Sequence, residues 1–368
     1  DTKFRKIKRD PTSLIKKEAN RLIGLANSDL QDKKISQIIG DYSPAYLYGN
    51  VKLHKPDHPL RPIISQCPTP TYQLAKTINK IITPYLPSRY SLKSTNDFIG
   101  LLRTVKNCDG LLASLDVESL FTNVPVRKTI DIIIDCVYEN PSLKAPSINK
   151  QTLKKILSLC TLDTPFRHPN GELYVQLDGV AMGSPLGPTF AEFYMSHLEN
   201  KVFSTFTKPL LYARYVDDII VLCQDVSYLE KLQQQLQLNS VLKFTTEVSN
   251  FNKQLAYLDL LLTQTEHGFR STVYTKPTSG GDCLSGDSYC PERYKTSVIT
   301  GYLNRAYNYS DNWNDFDAEL KRIKALLINN NFSNTMVDET IKKFVAGKVN
   351  NSATTEQSKR SFLPIFYR

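Results

Sequence analysis

Between Leu211 and Cys223 the chain reads LYARYVDDIIVLC. Tyr212, Tyr215, Val216, Ile219, Ile220 and Val221 are β-formers, so the stretch predicts a hairpin with Asp217 and Asp218 at its turn. Asp is ordinary turn chemistry, and the pair alone identifies nothing. Its flanks are apolar on both faces, however, which places the hairpin in a core. Adjacent carboxylates at the mouth of a core repel each other unless a cation neutralises them. Two questions follow: whether the chain supplies a further carboxylate, and whether it supplies a surface for a polyanion.

The charge balance bears on the second. A net charge of +10 over 368 residues favours a polyanionic partner, although a merely basic globular protein fits it too. The length allows two or three subdomains. No run of about 18 apolar residues occurs, so no membrane span is expected. No secretory signal opens the chain, and DTKFRKIKRD reads as a fragment boundary. Cys67, Cys108, Cys136, Cys160, Cys223, Cys283 and Cys290 are scattered, with no CxxC pair and no His cluster. That pattern fits reduced intracellular thiols and no zinc site.

Residues 1–40 are rich in Lys and Arg and carry an amphipathic pattern over Leu14–Ile23, which predicts a helical N-terminal arm. Tyr46–Ser65 reads YLYGNVKLHKPDHPLRPIIS, two extended runs around Pro56–Asp57. Lys52, Lys55 and Arg61 therefore sit on a basic hairpin. It can close on a triphosphate, Arg61 as a fork and the lysines as point charges, or it is an ordinary charged hairpin. Amphipathic helices follow at Leu74–Ile82 and Phe98–Val105. LLASLDV, Leu111–Val117, reads as a buried strand with Asp116 near its end. Helices are expected at Val126–Tyr138 and Leu153–Cys160, and Asn170–Gly171 marks a hairpin into Glu172–Leu177. Asp178–Pro188, DGVAMGSPLGP, is a small-residue turn that lets backbone approach a ligand, followed by a helix over Thr189–Phe206. Beyond the Asp pair come a helix at Tyr228–Leu238, a strand at Leu242–Val248, and LAYLDLLL at 255–262 hairpinned with 268–276. Three helices are expected at 291–308, 313–330 and 334–346, the last capped by Asn334 and stopped by Gly347. From Asn350 the chain reads as a polar linker.

Asp116 thus supplies the further carboxylate. If its strand neighbours the Asp-Asp hairpin, Asp116 and Asp217 can surround a pair of divalent cations. Cations about 4 Å apart stabilise both attacking and leaving oxygens in phosphoryl displacement. Hard oxygen ligands suit Mg²⁺.

YVDD downstream of a strand Asp, with GSPLGP between them, resembles the palm of reverse transcriptases. More narrowly, residues 41–330 resemble the reverse transcriptase of Penelope-like retroelements, a family related to telomerase reverse transcriptase. The segments that carry this are LYGNVKLHKPDHPLRPIIS, SLDVESLFTNVPV, DGVAMGSPLGPTFAEFYMSHLE, YARYVDDIIV, LAYLDLLL, and VYTKPTS followed by KTSV and NRAY. Each alone is modest, but their order is specific.

The resemblance implies an α+β right-hand polymerase fold, with fingers and palm built as an antiparallel sheet packed on helices, and a C-terminal helical thumb. The implied division is a basic arm at 1–40, fingers and palm at 41–282, thumb at 283–349, and at 350–368 a linker towards a further region such as a GIY-YIG endonuclease. The implied activity is RNA-directed DNA polymerisation, extending a DNA primer 3′-OH on an RNA template by two-metal phosphoryl transfer, in target-primed retrotransposition. Partners would be the RNA template, the DNA primer or target and dNTPs, with no membrane, and the location nuclear. Two Mg²⁺ per site are implied, with Mn²⁺ as a substitute.

Carried over by position, Asp116, Asp217 and Asp218 match the catalytic acids, and Val117 joins them in the metal set. Asp218 matches either a ligand or a support. Lys52, Lys55 and Arg61 match the fingers hairpin facing the triphosphate. Phe121 matches the aromatic position that excludes a 2′-hydroxyl, and otherwise reads as a core residue. Gly183, Ser184 and Pro185 match the turn along template and nascent base pair. Tyr215, Tyr257, Leu258 and Asp259 match primer and template contacts. Lys243 and Lys253 both qualify as the acid that protonates pyrophosphate. Lys295, Arg305, Lys321, Arg322 and Lys324 either line the duplex or form a solvated face.

The sequence departs from the family pattern at four places. Asn50–Val51 replaces a common Leu–Pro, and Gly179 stands where many relatives have Gln. DCLSGDSYCP replaces a His-rich stretch, and no GIY…YIG pattern is present. Two further readings stay open: an idle polymerase-fold protein that binds RNA as a scaffold, and a telomerase-like or maturase-like enzyme.

Overall fold

The computed structural model describes residues 3–30, 34–51, 57–105, 108–162, 164–266 and 268–352. In chain order the elements begin with β1 (Phe4–Ile7), α1 (Thr12–Asp29), β2 (Ala45–Val51), β3 (Leu60–Ser65), α2 (Tyr72–Ile82) and α3 (Thr95–Leu102). Then come β4 (Leu111–Val117), α4 (Leu120–Asn123), α5 (Val126–Tyr138), α6 (Lys150–Thr161), β5 (Thr164–Arg167) and β6 (Leu173–Gln176). They are followed by α7 (Gly187–Phe203), β7 (Leu211–Tyr215), β8 (Asp218–Cys223), α8 (Val226–Leu238) and β9 (Phe244–Val248). The last are β10 (Gln254–Tyr257), β11 (Leu260–Thr265), β12 (Gly268–Val273), α9 (Glu292–Tyr309), α10 (Trp313–Asn329) and α11 (Asn334–Ser352). The chain divides into two compact units, Asp1–Leu92 with Ala113–Glu247, and Lys93–Leu112 with Val248–Arg368.

The first unit holds two sheets, one ordered β1-β6-β5-β2-β3 and the other β7-β8-β4-β9. In the second sheet the apolar runs read from the sequence become central strands: Ile219 to Cys223 are fully buried, as are Leu112, Ala113 and Leu115. Helix α7 crosses the core with apolar residues on nearly every side, among them Phe190, Phe193, Tyr194 and Leu198, the pattern of a buried helix. Helix α5 starts after Pro125, and the Asp178 carboxylate accepts from the Val126 N–H at 3.0 Å. Asp225 caps α8 by accepting from the Tyr228 N–H at 2.8 Å.

The expected helical arm is a strand and then a helix. β1 pairs antiparallel with β6, Phe4 opposite Gln176 and Ile7 opposite Leu173. Two adjacent charged residues, Arg5 and Lys6, break the alternation that marks a strand, and Lys6 is paired with Glu172 across the ladder's edge. Helix α1 buries Ala19, Leu22, Ile23 and Ala26.

In the second unit β10, β11 and β12 form an antiparallel sheet. Helices α9, α10 and α11 share a core of Ile299, Leu303, Phe316, Leu320, Ile323, Leu327 and Val337. Arg270 on β12 is paired with Asp315 on α10. Helix α11 runs through Gly347 to Ser352 instead of stopping there. Nothing lies within 4 Å of where a Gly347 side chain would stand, so this glycine meets no turn geometry that would end the helix. The linker expected from Asn350 lies, beyond α11, outside the described residues. Among the described residues no helix is long and apolar enough to cross a membrane.

Candidate active site

β7 and β8 pair antiparallel from Leu211 opposite Leu222 to Tyr215 opposite Asp218. Val216 and Asp217 form the turn between them. Val216 has φ 57°, the left-handed region that glycine dominates at the first turn position. β8 lies beside β4 in the sheet. At the end of that pairing the Val117 N–H donates to the Asp217 carbonyl at 3.2 Å, and the Glu118 N–H donates to the Lys243 carbonyl at 3.0 Å. Asp116, Asp217 and Asp218 therefore stand at one end of one sheet. Asp116 and Asp218 are exposed and Asp217 is half-buried. The Val117 side chain is in the core, so only its carbonyl can serve as a ligand. Tyr215 is exposed beside the turn. Lys243 lies at this end of the sheet, whereas Lys253 belongs to the second unit.

Beneath the turn sits a charged cluster that sequence reasoning missed. Arg214 is fully buried. Its guanidinium reaches Glu199 at 2.6 and 3.2 Å, Glu192 at 2.9 and 3.0 Å, and the Val216 carbonyl at 3.1 Å. Burial works against the Glu192 carboxylate, but the hydrogen bonds and charge of Arg214 outweigh it and hold Glu192 below the ordinary range. At Glu199 desolvation wins over Arg214, and the carboxyl lies above that range. The signal was present in the sequence: an Arg inside an apolar strand, and Glu192, Ser196 and Glu199 at helical spacing on one face of α7.

The small-residue turn docks on two neighbours at once. The Val180 N–H donates to the Phe121 carbonyl at 2.7 Å, and the Ile64 N–H of β3 donates to the Met182 carbonyl at 2.9 Å. Gly179 has φ 78°, and a Cβ there would lie 2.6 Å from the Thr122 carbonyl oxygen. This close approach leaves no room for a side chain at position 179. Gly183 has φ 123°, and a Cβ there would meet the Ile64 carbonyl oxygen at 2.5 Å. Ser184 is buried, and its hydroxyl accepts from the Leu186 N–H at 3.3 Å, so its side chain shapes the turn. Pro185 is half-buried. Phe121 is half-buried, its ring 3.6 Å from where a Gly187 Cβ would stand. Lys3 of the N-terminal segment donates to the Thr122 carbonyl and to Asn123 Oδ1, which ties the first residues of the chain to this segment.

Arg61 lies on β3 opposite Asn50. It is exposed, on the same face as Tyr46 and Tyr48, whose ring centroids are 5.9 Å apart. Lys52 and Lys55 lie outside the described residues. Within the second unit, Leu258 has φ 53° at the tip of the β10–β11 hairpin. Tyr257 is buried against the Phe98 ring, with centroids 4.8 Å apart. A contact of Tyr257 with a primer would therefore run through its backbone. Asp259 accepts from Arg305 at 3.1 Å.

The other basic residues expected along a duplex are paired inside the second unit as well. Lys295 donates to the Gly286 carbonyl, Arg322 pairs with Glu319, and Lys321 and Lys324 reach Asp317 and Asp338 at 2.7 and 2.6 Å.

Among the described residues no three His, Cys, Asp or Glu side chains converge as a ready-made ligand set. Mg²⁺ does not need one. It is bound through one or two carboxylates, retained waters and substrate phosphates more often than by an all-protein cage. Asp116 on β4 and Asp217 on the turn bonded to it, with the Val117 carbonyl between them in sequence and pairing, fit a donor set of that kind.

The fold agrees with solved polymerases. Apo telomerase from Candida Tropicalis superposes with a TM-score of 0.53 at 12% identity, covering 91% of this chain and 62% of that one. Telomerase from Candida albicans in complex with the TWJ fragment of telomeric RNA gives 0.52 at 12% identity, covering 93% and 62%. The insertion-loop deletion mutant of the RNA-dependent RNA polymerase of a human picorbirnavirus gives 0.52 at 14% identity, covering 84% and 62%. At these identities the likeness shows the fold alone, an α+β right-hand polymerase fold, and the chain spans about three-fifths of each. No curated protein sequence matches the chain. Residues 283–342 match the animal helix-turn-helix domain. Residues 53–249, more than half of the chain, match the reverse transcriptase (RNA-dependent DNA polymerase) family, and the chain belongs to that family.

Proposed function

We propose that the chain is the catalytic part of an RNA-directed DNA polymerase of a Penelope-like retroelement, acting by target-primed reverse transcription in the nucleus. The observation that supports it best is the bond from the Val117 amide to the Asp217 carbonyl. It joins the strand bearing Asp116 to the turn bearing Asp217 and Asp218, inside the matched region 53–249. The Penelope-like assignment rests on the ordered segments from Leu47 to Tyr307. The assignment of 41–282 to fingers and palm, and of 283–349 to the thumb, rests on the same resemblance.

In this reading the 3′-hydroxyl of a DNA primer loses its proton to solvent, and its oxygen bonds to the α-phosphorus of a dNTP as the bond to pyrophosphate breaks. Divalent cations, two per site, with Mg²⁺ preferred and Mn²⁺ as substitute, supply Lewis-acid stabilisation of the attacking and leaving oxygens. Asp116, Asp217 and the Val117 carbonyl hold them, and Asp218 either joins them or shapes the turn. Arg61, Lys52 and Lys55 neutralise the triphosphate. The Phe121 ring closes the space where a 2′-hydroxyl would stand. Gly183 and its neighbours present backbone to the nascent pair, Tyr215 contacts the primer end, and Tyr257, Leu258 and Asp259 support the primer through their hairpin. Lys243, whose backbone is bonded beside β4, protonates the pyrophosphate.

The test is primer extension with dNTPs on RNA and DNA templates. Mg²⁺-dependent extension on RNA is expected. A chain that binds the primed RNA but extends nothing would instead be a scaffold.

A further inference from the structure

Val216 is β-branched yet sits at φ 57°. That region is disfavoured for such a residue and persists only where surrounding contacts over-determine it. Two contacts hold the turn. On the β4 side the Val117 N–H reaches the Asp217 carbonyl at 3.2 Å. On the α7 side Arg214 Nη1 reaches the Val216 carbonyl at 3.1 Å.

The second contact is expensive to build. A guanidinium with no exposure must have every N–H satisfied. Nε and Nη2 fork onto Glu199, and Nη1 and Nη2 fork onto Glu192. The remaining donor goes to the turn. Both carboxylates are themselves held: Glu199 accepts the Tyr212 hydroxyl at 3.1 Å and Glu192 the Ser196 hydroxyl at 3.3 Å. The Arg214 backbone is fixed as well, its N–H donating to the Tyr90 carbonyl at 2.8 Å and its carbonyl accepting from the Leu92 N–H at 2.7 Å. Apolar side chains could fill this volume without the desolvation cost. What they could not supply is a rigid donor aimed at the Val216 carbonyl.

We propose that Arg214, clamped by Glu192 and Glu199, is a positioning residue: it holds Val216 in the left-handed conformation and thereby sets the aim of the Asp217 carboxylate. The catalytic half of this inference rests on the polymerase reading, and the structural half does not.

Arg214→Lys tests it. A lysine keeps the charge but lacks the fork, so it cannot serve both carboxylates and the turn. In a variant shown folded by circular dichroism, amide exchange at Val117 and across Tyr215–Asp218 should be faster than in the wild type. The kcat for nucleotide addition should fall about a hundredfold, with the dNTP KM changed by no more than about twofold. Val216→Gly accepts positive φ freely, so in the lysine background it should restore about tenfold of the lost kcat. Unchanged exchange at Val117, or a loss of kcat that Val216→Gly does not recover, would overturn the proposal. If Arg214→Lys does not fold, Glu199→Gln takes its place, with about a tenfold loss expected together with faster Val117 exchange; a folded Glu199→Gln without faster exchange would also overturn it. A wild-type chain that extends no primer would sink the polymerase reading alone, because Val117 exchange still reports on the clamp.

Discussion

The amide of Val117 donates to the carbonyl of Asp217 at 3.2 Å, so the strand that carries Asp116 and the turn that carries Asp217 and leads into Asp218 are fixed to each other by backbone. The two segments need no long side chain to bring them together. Their separation is set by strand pairing, and the aim of Asp217 by the turn that Arg214 reaches at the Val216 carbonyl.

Phe121 has two neighbours that leave it little freedom: its carbonyl is bonded to the Val180 N–H, and its ring lies against Gly187. Phe121→Ala should therefore open space at the sugar without unfolding the chain. Discrimination against ribonucleotides should fall about 10- to 200-fold, read as the ratio of kcat/KM for dNTP and NTP. Unchanged discrimination would return Phe121 to a packing role.

Gly183 sits at φ 123° with the Ile64 carbonyl oxygen where a Cβ would go, whereas nothing lies within 4 Å of Gly24 on α1. Gly183→Ala should destabilise the fold by about 1–3 kcal/mol. Gly24→Ala should stabilise it by about 0.5–1 kcal/mol. Denaturant unfolding of the two variants measures both signs against one wild type.

Stability should decline in alkali. Burial pushes the Cys160 thiol from 9.0 up to about 12, and burial does the same to the Tyr138 hydroxyl, from 10.0 to about 12. Each group is neutral in the folded chain and ionises first in the unfolded one. The stability they contribute is complete below pH 9 and is lost as pH rises towards 12, at up to about 1.4 kcal/mol per pH unit for each group. Cys160→Ala should make that decline shallower, which thermal unfolding between neutral and alkaline pH would reveal.

The sequence carried the site's chemistry better than its support. LLASLDV and LYARYVDDIIVLC announce buried strands because their apolar runs are continuous, and the carboxylates stand out against them. β1 was hidden because its partner β6 lies far along the chain and because the adjacent charges of Arg5 and Lys6 break any alternation. Gly347 was read as a stop, but a glycine in an open helix position only weakens the helix. Arg214 passed as an ordinary strand residue because its partners, Glu192 and Glu199, come from a helix that reads as apolar core. A buried ion cluster is a tertiary fact, assembled only when β7 and α7 pack together.

In the proposed function Asp116 and Asp217 are the carboxylates of an RNA-templated DNA polymerase. Extension of a DNA primer on an RNA template, with wild type and Asp217→Asn side by side, tests it most directly. The wild type should extend in Mg²⁺ and stop in EDTA, and Asp217→Asn, folded and still bound to the primed RNA, should lose about a thousandfold or more of the rate. Extension by Asp217→Asn at the wild-type rate, or wild-type extension that survives EDTA, would contradict it.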